Sequence, residues 1–293
     1  MQQQQAFRFA VGRSHDGDTA ASEYHVSTSS DSAPRQKRQR TAATDLTAYG
    51  VATVQMVELI QDLHDTESHD DTTHYGLFIW PSAMVLAHFV ARHCTRVATN
   101  KVVMEIGCGT GLPGILAAIC GKPKAVYLTD RSDAIDIQRN VEVNIRINGI
   151  QDVASFLPLD WGQVTGNEHL LDLFQTVDVL LAADCFYRSE GNDPDYKELC
   201  TLSLRKDFEN VIATVAFIFR CSPKCKLYTT YQLRSITRSI APLLARWGME
   251  ARAVDTTPFL PIADTKAGST DNDPSYEGIY LYEISSSRYY PDK

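Results

Sequence analysis

Three alternating glycines after an apolar run form the stretch of this sequence with the clearest chemistry. It reads VVMEIGCGTGLPG over 102–114 and contains Gly107, Gly109 and Gly111, with Glu105 just before them. Glycines at this spacing let the backbone pass close under a ligand. The free amide groups at the start of the following helix would attract a negatively charged group of that ligand. The stretch therefore predicts a small-molecule site that recognises a phosphate or a carboxylate.

The glycines fit two patterns, and the end of the strand decides between them. The letters GTGLPG (109–114) match the dinucleotide-binding pattern G-x-G-x-x-G. The apolar run stops at Ile106, however, which makes Gly107 the turn residue and puts Leu112 where the third glycine of that pattern belongs. The sequence therefore favours a ligand other than a dinucleotide, such as one with an amino-acid carboxylate.

Two carboxylates near the glycines restrict the class of predicted ligand further. Glu105 lies at the same edge as the glycines and can accept a hydrogen bond from an ammonium group, directly or through water. Asp130 ends the next apolar run, 21 residues beyond Gly109, where a carboxylate accepts both hydroxyls of a ribose. Asp130 also fits the cap of a helix that begins near Ser132. An amino acid joined to a nucleoside is S-adenosylmethionine, which is the cofactor we predict.

The third apolar run ends in LDWG (159–162), which adds two candidates. Trp161 offers a flat apolar surface against which adenine could lie, and Asp160 is a candidate hydrogen-bond acceptor beside it. A tryptophan here fits plain core packing equally well.

The fourth apolar run ends in AADCFY (182–187) and contributes a candidate catalytic residue. Asp184 comes directly after the run and is followed by Phe186 and Tyr187. A carboxylate next to aromatic rings holds a cationic nitrogen through charge pairing and cation–π contact. We therefore predict that Asp184 faces the group that accepts the methyl.

The elements that must position these residues alternate between apolar runs and helical stretches. Helices are predicted over 131–148, 206–220 and 235–248, and another begins at Pro81 after a short extended entry. Apolar strands joined by crossover helices predict a parallel sheet covered on both faces. The last two runs have no long helix between them and predict an antiparallel closing pair. We expect an α/β, Rossmann-like seven-strand sheet, mostly parallel with an antiparallel closing strand, built from runs 101–106, 125–129, 154–159, 177–183, 225–232, 250–256 and 278–285.

The N-terminal segment differs in composition from the rest of the chain. Residues 1–44 are polar with few apolar anchors, which predicts a disordered tail before a single domain over 45–293. The basic cluster PRQKRQR (34–40) fits a nuclear import signal and a solvated run of charge about equally well. The stretch 49–61 fits a strand or a helix, and we favour a strand or hairpin.

Charge and composition weigh against several classes of protein. The net charge is −8, and residues 1–40 carry six basic and four acidic side chains, so the rest of the chain carries −10. An acidic domain repels nucleic-acid phosphates and attracts basic partners. The apolar runs are shorter than the roughly 18 residues of a membrane span, and no signal-peptide pattern is visible. We expect an intracellular protein without direct nucleic-acid or membrane binding.

The cysteines and histidines do not predict a metal site or a disulfide framework. Seven cysteines are scattered along the chain, which fits a reducing compartment. Three histidines within 64–74 are spaced five residues apart, so they do not share a helix face. The pair Cys221 and Cys225 has no second cysteine or histidine pair at suitable spacing.

Taken together, five motifs resemble the seven-strand S-adenosylmethionine-dependent methyltransferases of lysine methyltransferase family 16. The motifs are GLFIWPSAMVLA, EIGCGTGLPGILAA, LDWG, AADCFY and TTYQLRS, and the resemblance covers about residues 46–286. It implies that Asp184 and Tyr187 match the family's D-x-x-Y, which borders the methyl-acceptor channel. The cofactor residues implied by the resemblance are Trp80, Glu105, Gly107, Cys108, Gly109, Gly111, Asp130, Asp160, Trp161 and Ala183.

The resemblance also implies partners and a location. Members of the family methylate arginines of histones or lysines of chaperones and elongation factors. A basic protein substrate such as a histone, chaperone or translation factor is therefore expected, with a monomer acting in cytoplasm and nucleus. Two segments, 188–206 and 255–278, are longer than the family pattern and lie at the edge where substrate would dock, so the substrate is the least transferable property.

Three other functions stay open from the sequence. They are a non-catalytic module that binds S-adenosylmethionine, a small-molecule methyltransferase, and an NAD-dependent oxidoreductase. The register of the glycines disfavours the oxidoreductase. Lysine and arginine acceptors are both compatible with Asp184, whereas a second acid from Glu190, Asp193 or Asp195 would favour arginine.

Overall fold

The computed structural model describes residues 2–12, 50–59, 72–164, 168–185, 209–232, 241–260, 276 and 278–287. These residues form a two-stranded hairpin and a seven-stranded sheet. The strands are β1 Gln2–Val11, β2 Gly50–Leu59, β3 Val102–Ile106, β4 Ala125–Asp130, β5 Ala154–Pro158, β6 Val179–Ala183, β7 Lys226–Gln232, β8 Met249–Val254 and β9 Ile279–Ser286.

The central sheet has the strand order β5-β4-β3-β6-β7-β9-β8. Strands β3 to β7 pair in parallel, whereas β9 is antiparallel to both β7 and β8. Every predicted strand is present within two residues of its expected bounds. The predicted Rossmann-like sheet with an antiparallel closing strand is therefore confirmed.

Helices cover both faces of this sheet and enclose two apolar cores. The helices are α1 Pro81–Arg92, α2 Cys94–Val97, α3 Leu112–Gly121, α4 Ile135–Ile147, α5 Glu168–Phe174, α6 over 209–221, α7 Ala241–Arg246, and the 3-10 helix Thr72–Leu77. Strand β3 contributes to both cores, since Val103 belongs to the core with α1, α3 and α4, and Met104 to the core with α5, α6 and α7. No helix in the described ranges is long and apolar enough to cross a membrane.

Helix α1 begins where the sequence predicts it. Trp80 is extended, with φ −73° and ψ 149°, and Pro81 occupies the first helical position. Proline suits that position because its missing N–H has no helical partner there. The extended entry fixes the place of Trp80 relative to the sheet.

The N-terminal residues correct the prediction of a disordered tail over 1–44. Gln2–Val11 form β1, which pairs antiparallel with β2 from Gln2↔Leu59 to Val11↔Gly50. Phe9 is only 1% exposed and packs against the core around α1 and α3. The prediction is wrong for these residues because the short apolar alternation AFRFAV was averaged with a long polar stretch.

Because β1 precedes it, the basic cluster at 34–40 lies between two strands in the sequence. Residues 34–40 fall within 13–49, which lie outside the described residues and connect β1 to β2. The cluster is thus part of the connection between two paired strands and does not belong to an N-terminal extension. The domain begins with β1, and the predicted strand over 49–61 is confirmed as β2.

Candidate active site

The carboxyl ends of four parallel strands bring the predicted site residues to one edge of the sheet. Strand β3 ends at Ile106, β4 at Asp130, β5 at Pro158 and β6 at Ala183. In a doubly wound sheet, ligands bind beyond this edge, where the strand order reverses. Here the reversal lies at β3, whose neighbours are β4 and β6.

The glycine turn joins β3 to α3 in the register that the sequence favours. Gly107, Gly109 and Gly111 have φ values of 59°, 52° and 80°, a left-handed region that glycine adopts readily. The Gly111 N–H donates to the Cys108 carbonyl at 2.7 Å, and the Cys108 N–H donates to the Thr129 carbonyl at 2.9 Å. The turn is therefore closed on itself and bound to β4.

Close neighbours also require glycine at these positions. A Cβ added at Gly107 would lie 2.8 Å from the Trp161 ring and 2.9 Å from Cys185 Sγ. A Cβ at Gly109 would lie 2.9 Å from the carbonyl oxygen of Gly76, in the 3-10 helix. The turn thus forms a tight cradle between Trp161 on one side and the segment before α1 on the other.

Gly114 is a functional glycine that the sequence reasoning dismissed as a coincidence. It is helical, and a Cβ there would lie 2.7 Å from Glu105 Oε2. The signal was present in the letters GTGLPG, because the last glycine of the dinucleotide pattern serves close packing of helix on strand. Packing of α3 on β4 preserves that role without a dinucleotide.

Glu105 lies beneath the glycine turn and is 1% exposed. Its Oε2 accepts a hydrogen bond from the Gly114 N–H at 2.8 Å, at the start of α3. Burial, together with the smaller effect of the nearby Asp130 charge, raises the pKa of Glu105 to about 8, despite the lowering effect of the Gly114 hydrogen bond. The described contact of Glu105 is thus to the protein backbone, and its contact with a cofactor ammonium group stays a prediction.

Asp130 holds the turn from the end of β4. Its Oδ2 accepts from the Gly109 N–H and its Oδ1 from the Arg131 N–H, both at 2.9 Å. Burial raises the pKa of Asp130 above its ordinary value. The alternative role as a helix cap is not realised, because α4 begins at Ile135 with Ala134 as its N-cap.

Asp160 and Trp161 follow β5 and lie next to Asp130 and the glycine turn. Asp160 accepts from the Ser132 N–H at 2.9 Å and from the Ser132 hydroxyl at 2.7 Å. It therefore fixes the turn that follows Asp130. Trp161 is half-buried against the core around α6, with the edge of its ring over Gly107. Both interpretations of Trp161, packing in the core and lining the site, fit this position.

Trp80 stands at the start of α1 and is 40% exposed. Its indole N–H donates to the Tyr75 carbonyl at 2.9 Å, and the rings of Tyr75 and Phe78 lie 6.2 and 6.5 Å away. The carbonyl of Gly76, next to Tyr75, is the group that approaches Gly109. This aromatic cluster is thus connected to the glycine turn, and Tyr75 is a member that the sequence reasoning missed.

Asp184 follows Ala183, the last residue of β6, at the same edge. Its φ of 52° is unusual for a residue other than glycine, although aspartate tolerates it. Its N–H donates to the Thr230 carbonyl of β7 at 3.0 Å. Backbone in this conformation concentrates at functional sites because the surrounding structure must hold it there. Phe186 and Tyr187 lie outside the described residues, and so do the candidate acids Glu190, Asp193 and Asp195.

Thr230 was also missed from the sequence. It is fully buried, and its hydroxyl donates to the Ser82 carbonyl in the first turn of α1 at 3.0 Å. Because its own carbonyl accepts from Asp184, Thr230 ties the start of α1 to the end of β6. It lies in the motif TTYQLRS, whose resemblance to the family was the available signal.

The elements described so far lie within the match of one protein-family model. A family model described as lysine methyltransferase matches residues 60–213, which span β3 to β6, the glycine turn and Asp184. The chain belongs to the lysine methyltransferase family.

Similar proteins place the chain within this methyltransferase family. It is 34% identical over 195 residues to the histone-arginine methyltransferase METTL23 of Xenopus laevis, covering 67% of this chain and 74% of that protein. The same-named human protein is 33% identical over 174 residues, 59% of this chain and 80% of its own. The protein N-lysine methyltransferase METTL21A of Xenopus tropicalis is 35% identical over 130 residues, 43% and 56% of the two chains. Among solved structures, the delta-N METTL16 MTase domain is 12% identical, covers 72% of this chain and 84% of that chain, and has a TM-score of 0.46.

The Cys185 thiol lies between the two sides of the candidate site. Burial raises the pKa of the Cys185 thiol, and the charges of Asp130, Asp184 and Glu105 raise it further. The same thiol lies against the place of a Cβ on Gly107 and donates to the Ile106 carbonyl at 3.1 Å. Cys185 thus marks the point where the glycine turn and the Asp184 side meet.

Proposed function

We propose that this chain is an S-adenosylmethionine-dependent protein N-methyltransferase that acts on an arginine or lysine side chain of a basic protein. The observation that carries the proposal is the juxtaposition at one sheet edge of the glycine turn, Asp130 and Asp184. The family and the names of the relatives support transfer of a methyl group to a protein.

The residues around the glycine turn fit this cofactor. The left-handed glycines leave no Cβ in the cradle, so the backbone can approach the amino-acid part closely. In this proposal Asp130 accepts the ribose hydroxyls, and Trp161 lies beside the adenine. When bound, S-adenosylmethionine supplies a methyl carbon activated by its sulfonium. The protein therefore contributes mostly orientation and exclusion of water.

Asp184 is the residue we assign to the acceptor nitrogen. Its carboxylate stabilises a cationic side chain next to the sulfonium through charge pairing. A lysine must first lose its proton from a pKa of roughly 10.4, whereas an arginine keeps its charge and needs carboxylates to hold its planar guanidinium. The METTL23 relative of Xenopus laevis matches a larger share of this chain than METTL21A does, which supports arginine as the acceptor. A histone is therefore the first substrate to test.

The test uses the full chain with labelled S-adenosylmethionine and a cell extract, followed by mass spectrometry of the labelled residue. We expect label on an arginine or lysine of a basic protein and none with Asp184→Asn. Calorimetry with S-adenosylmethionine, its demethylated product and NAD separates the alternatives. Binding without label on any polypeptide would favour a binding module or a small-molecule methyltransferase, and binding of NAD alone would overturn the proposal.

We also propose that the protein acts as a monomer in cytoplasm and nucleus. The basic cluster at 34–40 supports nuclear import. Replacing its basic residues with serine and glycine should lower the nuclear fraction of the protein in cells, while the melting temperature and cofactor affinity stay unchanged. An unchanged nuclear fraction would leave the cluster as a solvated run of charge.

A further inference from the structure

Three asparagines on α4 and the residue after it bind the outer edge of strand β2. Asn148 accepts from the Gln55 N–H at 2.9 Å and donates to the Gln55 carbonyl at 2.6 Å. Asn144 accepts from the Val57 N–H at 2.7 Å, and both Asn144 and Asn140 donate to the Val57 carbonyl, at 3.2 and 3.0 Å. The side-chain amides thus take the place of a neighbouring strand.

The spacing of the two elements explains why this arrangement works. Four residues of helix rise about 6 Å, and two residues of strand rise about 6.8 Å. Asparagines four apart on a helix therefore reach alternate residues of a strand edge. Each amide offers a donor and an acceptor, as a peptide group does. At Gln55 and Val57 the edge of β2 is satisfied in this way, without a third strand among the described residues.

Asn144 differs from Asn148 in reaching the glycine turn, besides donating to the Asn140 side chain at 3.1 Å. Its Nδ2 also donates to the Thr110 carbonyl at 3.2 Å, and the side chain is fully buried. The Val57 N–H can only donate, so the atom of Asn144 that faces it is oxygen, and the nitrogen must face Thr110. Thr110 lies between Gly109 and Gly111. Asn144 therefore joins the β1–β2 hairpin to the glycine turn.

The peptide group between Thr110 and Gly111 is held from both sides as a result. The Thr110 carbonyl accepts from Asn144, and the Gly111 N–H donates to the Cys108 carbonyl. Because the peptide is planar, fixing both groups fixes its orientation. Without that restraint, a peptide next to glycine has several accessible orientations. Only some of them keep the turn open to a ligand.

The same strand restrains the other side of the cradle. Glu58, next to Val57, accepts from the Ile79 N–H at 3.1 Å with Oε2. Its Oε1 accepts from the Gln5 side chain of β1 at 2.7 Å. Ile79 precedes Trp80, so the hairpin contacts the site through the glycine turn and through the segment before α1.

We propose that Asn144 is a positioning residue that orders the glycine turn for cofactor binding by anchoring it to the β1–β2 hairpin. The proposal rests on the proposed function, in which this turn binds S-adenosylmethionine. It adds that the affinity of the site for its cofactor depends on β2, a strand outside the seven-stranded sheet. Preorganisation of this kind raises affinity because less conformational freedom is lost on binding.

Asn144→Ala and Asn148→Ala form a matched pair for the test. Each removes an amide that bonds both backbone groups of one β2 residue, but only Asn144→Ala removes the bond to Thr110. We expect a larger loss of melting temperature for Asn144→Ala, because Asn144 is fully buried and Asn148 only partly. A loss of S-adenosylmethionine affinity of about tenfold is expected for Asn144→Ala alone, the range of one lost hydrogen bond. Calorimetry on the folded full-length variants measures the affinity.

Hydrogen exchange of the Gly111 amide without cofactor gives an independent readout. It should accelerate in Asn144→Ala and stay unchanged in Asn148→Ala, whether or not the protein binds S-adenosylmethionine. Equal exchange rates, or equal affinities, in the two variants would overturn the proposal. Wild-type protein that binds no cofactor would instead refute the proposed function. If Asn144→Ala does not fold, Asn144→Ser and Asn148→Ser make the same comparison.

Discussion

The two sides of the candidate site are built in different ways. On the cofactor side, three carboxylates each accept hydrogen bonds from backbone N–H groups: Glu105 from Gly114, Asp130 from Gly109 and Asp160 from Ser132. On the acceptor side, Asp184 stands on left-handed backbone held by β7. The cofactor side is thus a backbone turn held by acidic side chains, whereas on the acceptor side we propose that one acid, Asp184, contacts the ligand directly.

The two sides should respond differently to substitutions. Changes on the cofactor side should alter the order of the backbone and the cofactor affinity together. Changes on the acceptor side should alter turnover and leave cofactor affinity intact. The hairpin belongs with the cofactor side, because its contacts lead to Thr110 and Ile79.

The largest effect is expected from Phe9→Ala in β1. Phe9 is 1% exposed and lies edge-on to His88 with ring centroids 4.9 Å apart. Losing a buried phenylalanine destabilises a domain by about 3–5 kcal/mol, whereas exposed Arg8→Ala should stay within about 0.5 kcal/mol. Urea unfolding of both variants measures this. Cofactor affinity should fall with Phe9→Ala while kcat at saturating cofactor holds, and a normal stability would refute the role of β1.

Asp184→Asn should give the next largest effect and isolate the acceptor side. The change keeps the shape and removes the charge, so turnover should fall by about two orders of magnitude or more, as when a preorganised electrostatic contact is lost. S-adenosylmethionine affinity, measured by calorimetry, should change little. A matching loss of affinity would assign Asp184 to the cofactor, and unchanged turnover would leave it a structural role. Tyr187→Phe is the companion variant, with a smaller expected loss.

Asp130→Ala should affect the cofactor side alone. It removes the acceptor for the Gly109 N–H and the predicted partner of the ribose, so cofactor binding should weaken by roughly 1.5–3 kcal/mol, the range for hydrogen bonds to a charged group. Asp133→Ala is the matched control, because that exposed acid sits on the same turn and pairs only with Arg131 among the contacts described. Equal affinities of the two variants would contradict the assignment.

The smallest effect concerns pH and Glu105. Since burial raises the pKa of Glu105 from 4.5 to about 8, its contribution to stability is complete below pH 4.5 and is lost as pH rises through 8. If the carboxylate meets the cofactor's ammonium group, binding releases a proton at pH 7. Affinity should then be highest near pH 8, because above that pH the cofactor's α-amino group loses its own proton, from a pKa of roughly 7.7–8.0. Calorimetry in buffers of different ionisation enthalpy detects the proton. Glu105→Gln should remove the rise in affinity below pH 8, and a wild-type affinity that does not rise between pH 6 and 8 would confine Glu105 to capping α3.

Much of the fold was predictable because its signals are local. The seven runs of the sheet are continuous in sequence, and Ile106 ends β3 where apolar residues give way to glycine. Strand β1 was not predictable from composition, since only Phe7, Phe9 and Val11 supply its apolar face within a long polar segment. Between the end of β1 and the start of its partner β2 lie 38 residues, so no local turn pattern predicts the pair.

The amino-acid sequence by itself determined the order of strands and helices, the left-handed glycines of the turn and the acids at the strand ends. These follow from the period of apolar residues and from the conformational freedom of glycine, which act over a few neighbouring positions. Only the tertiary structure decided that Asn144 reaches Thr110, that Thr230 ties Asp184 to α1, and that Gly114 admits the carboxylate of Glu105. Such contacts join residues far apart in the chain, and burial makes each of them matter, because a buried polar group without its partner is costly.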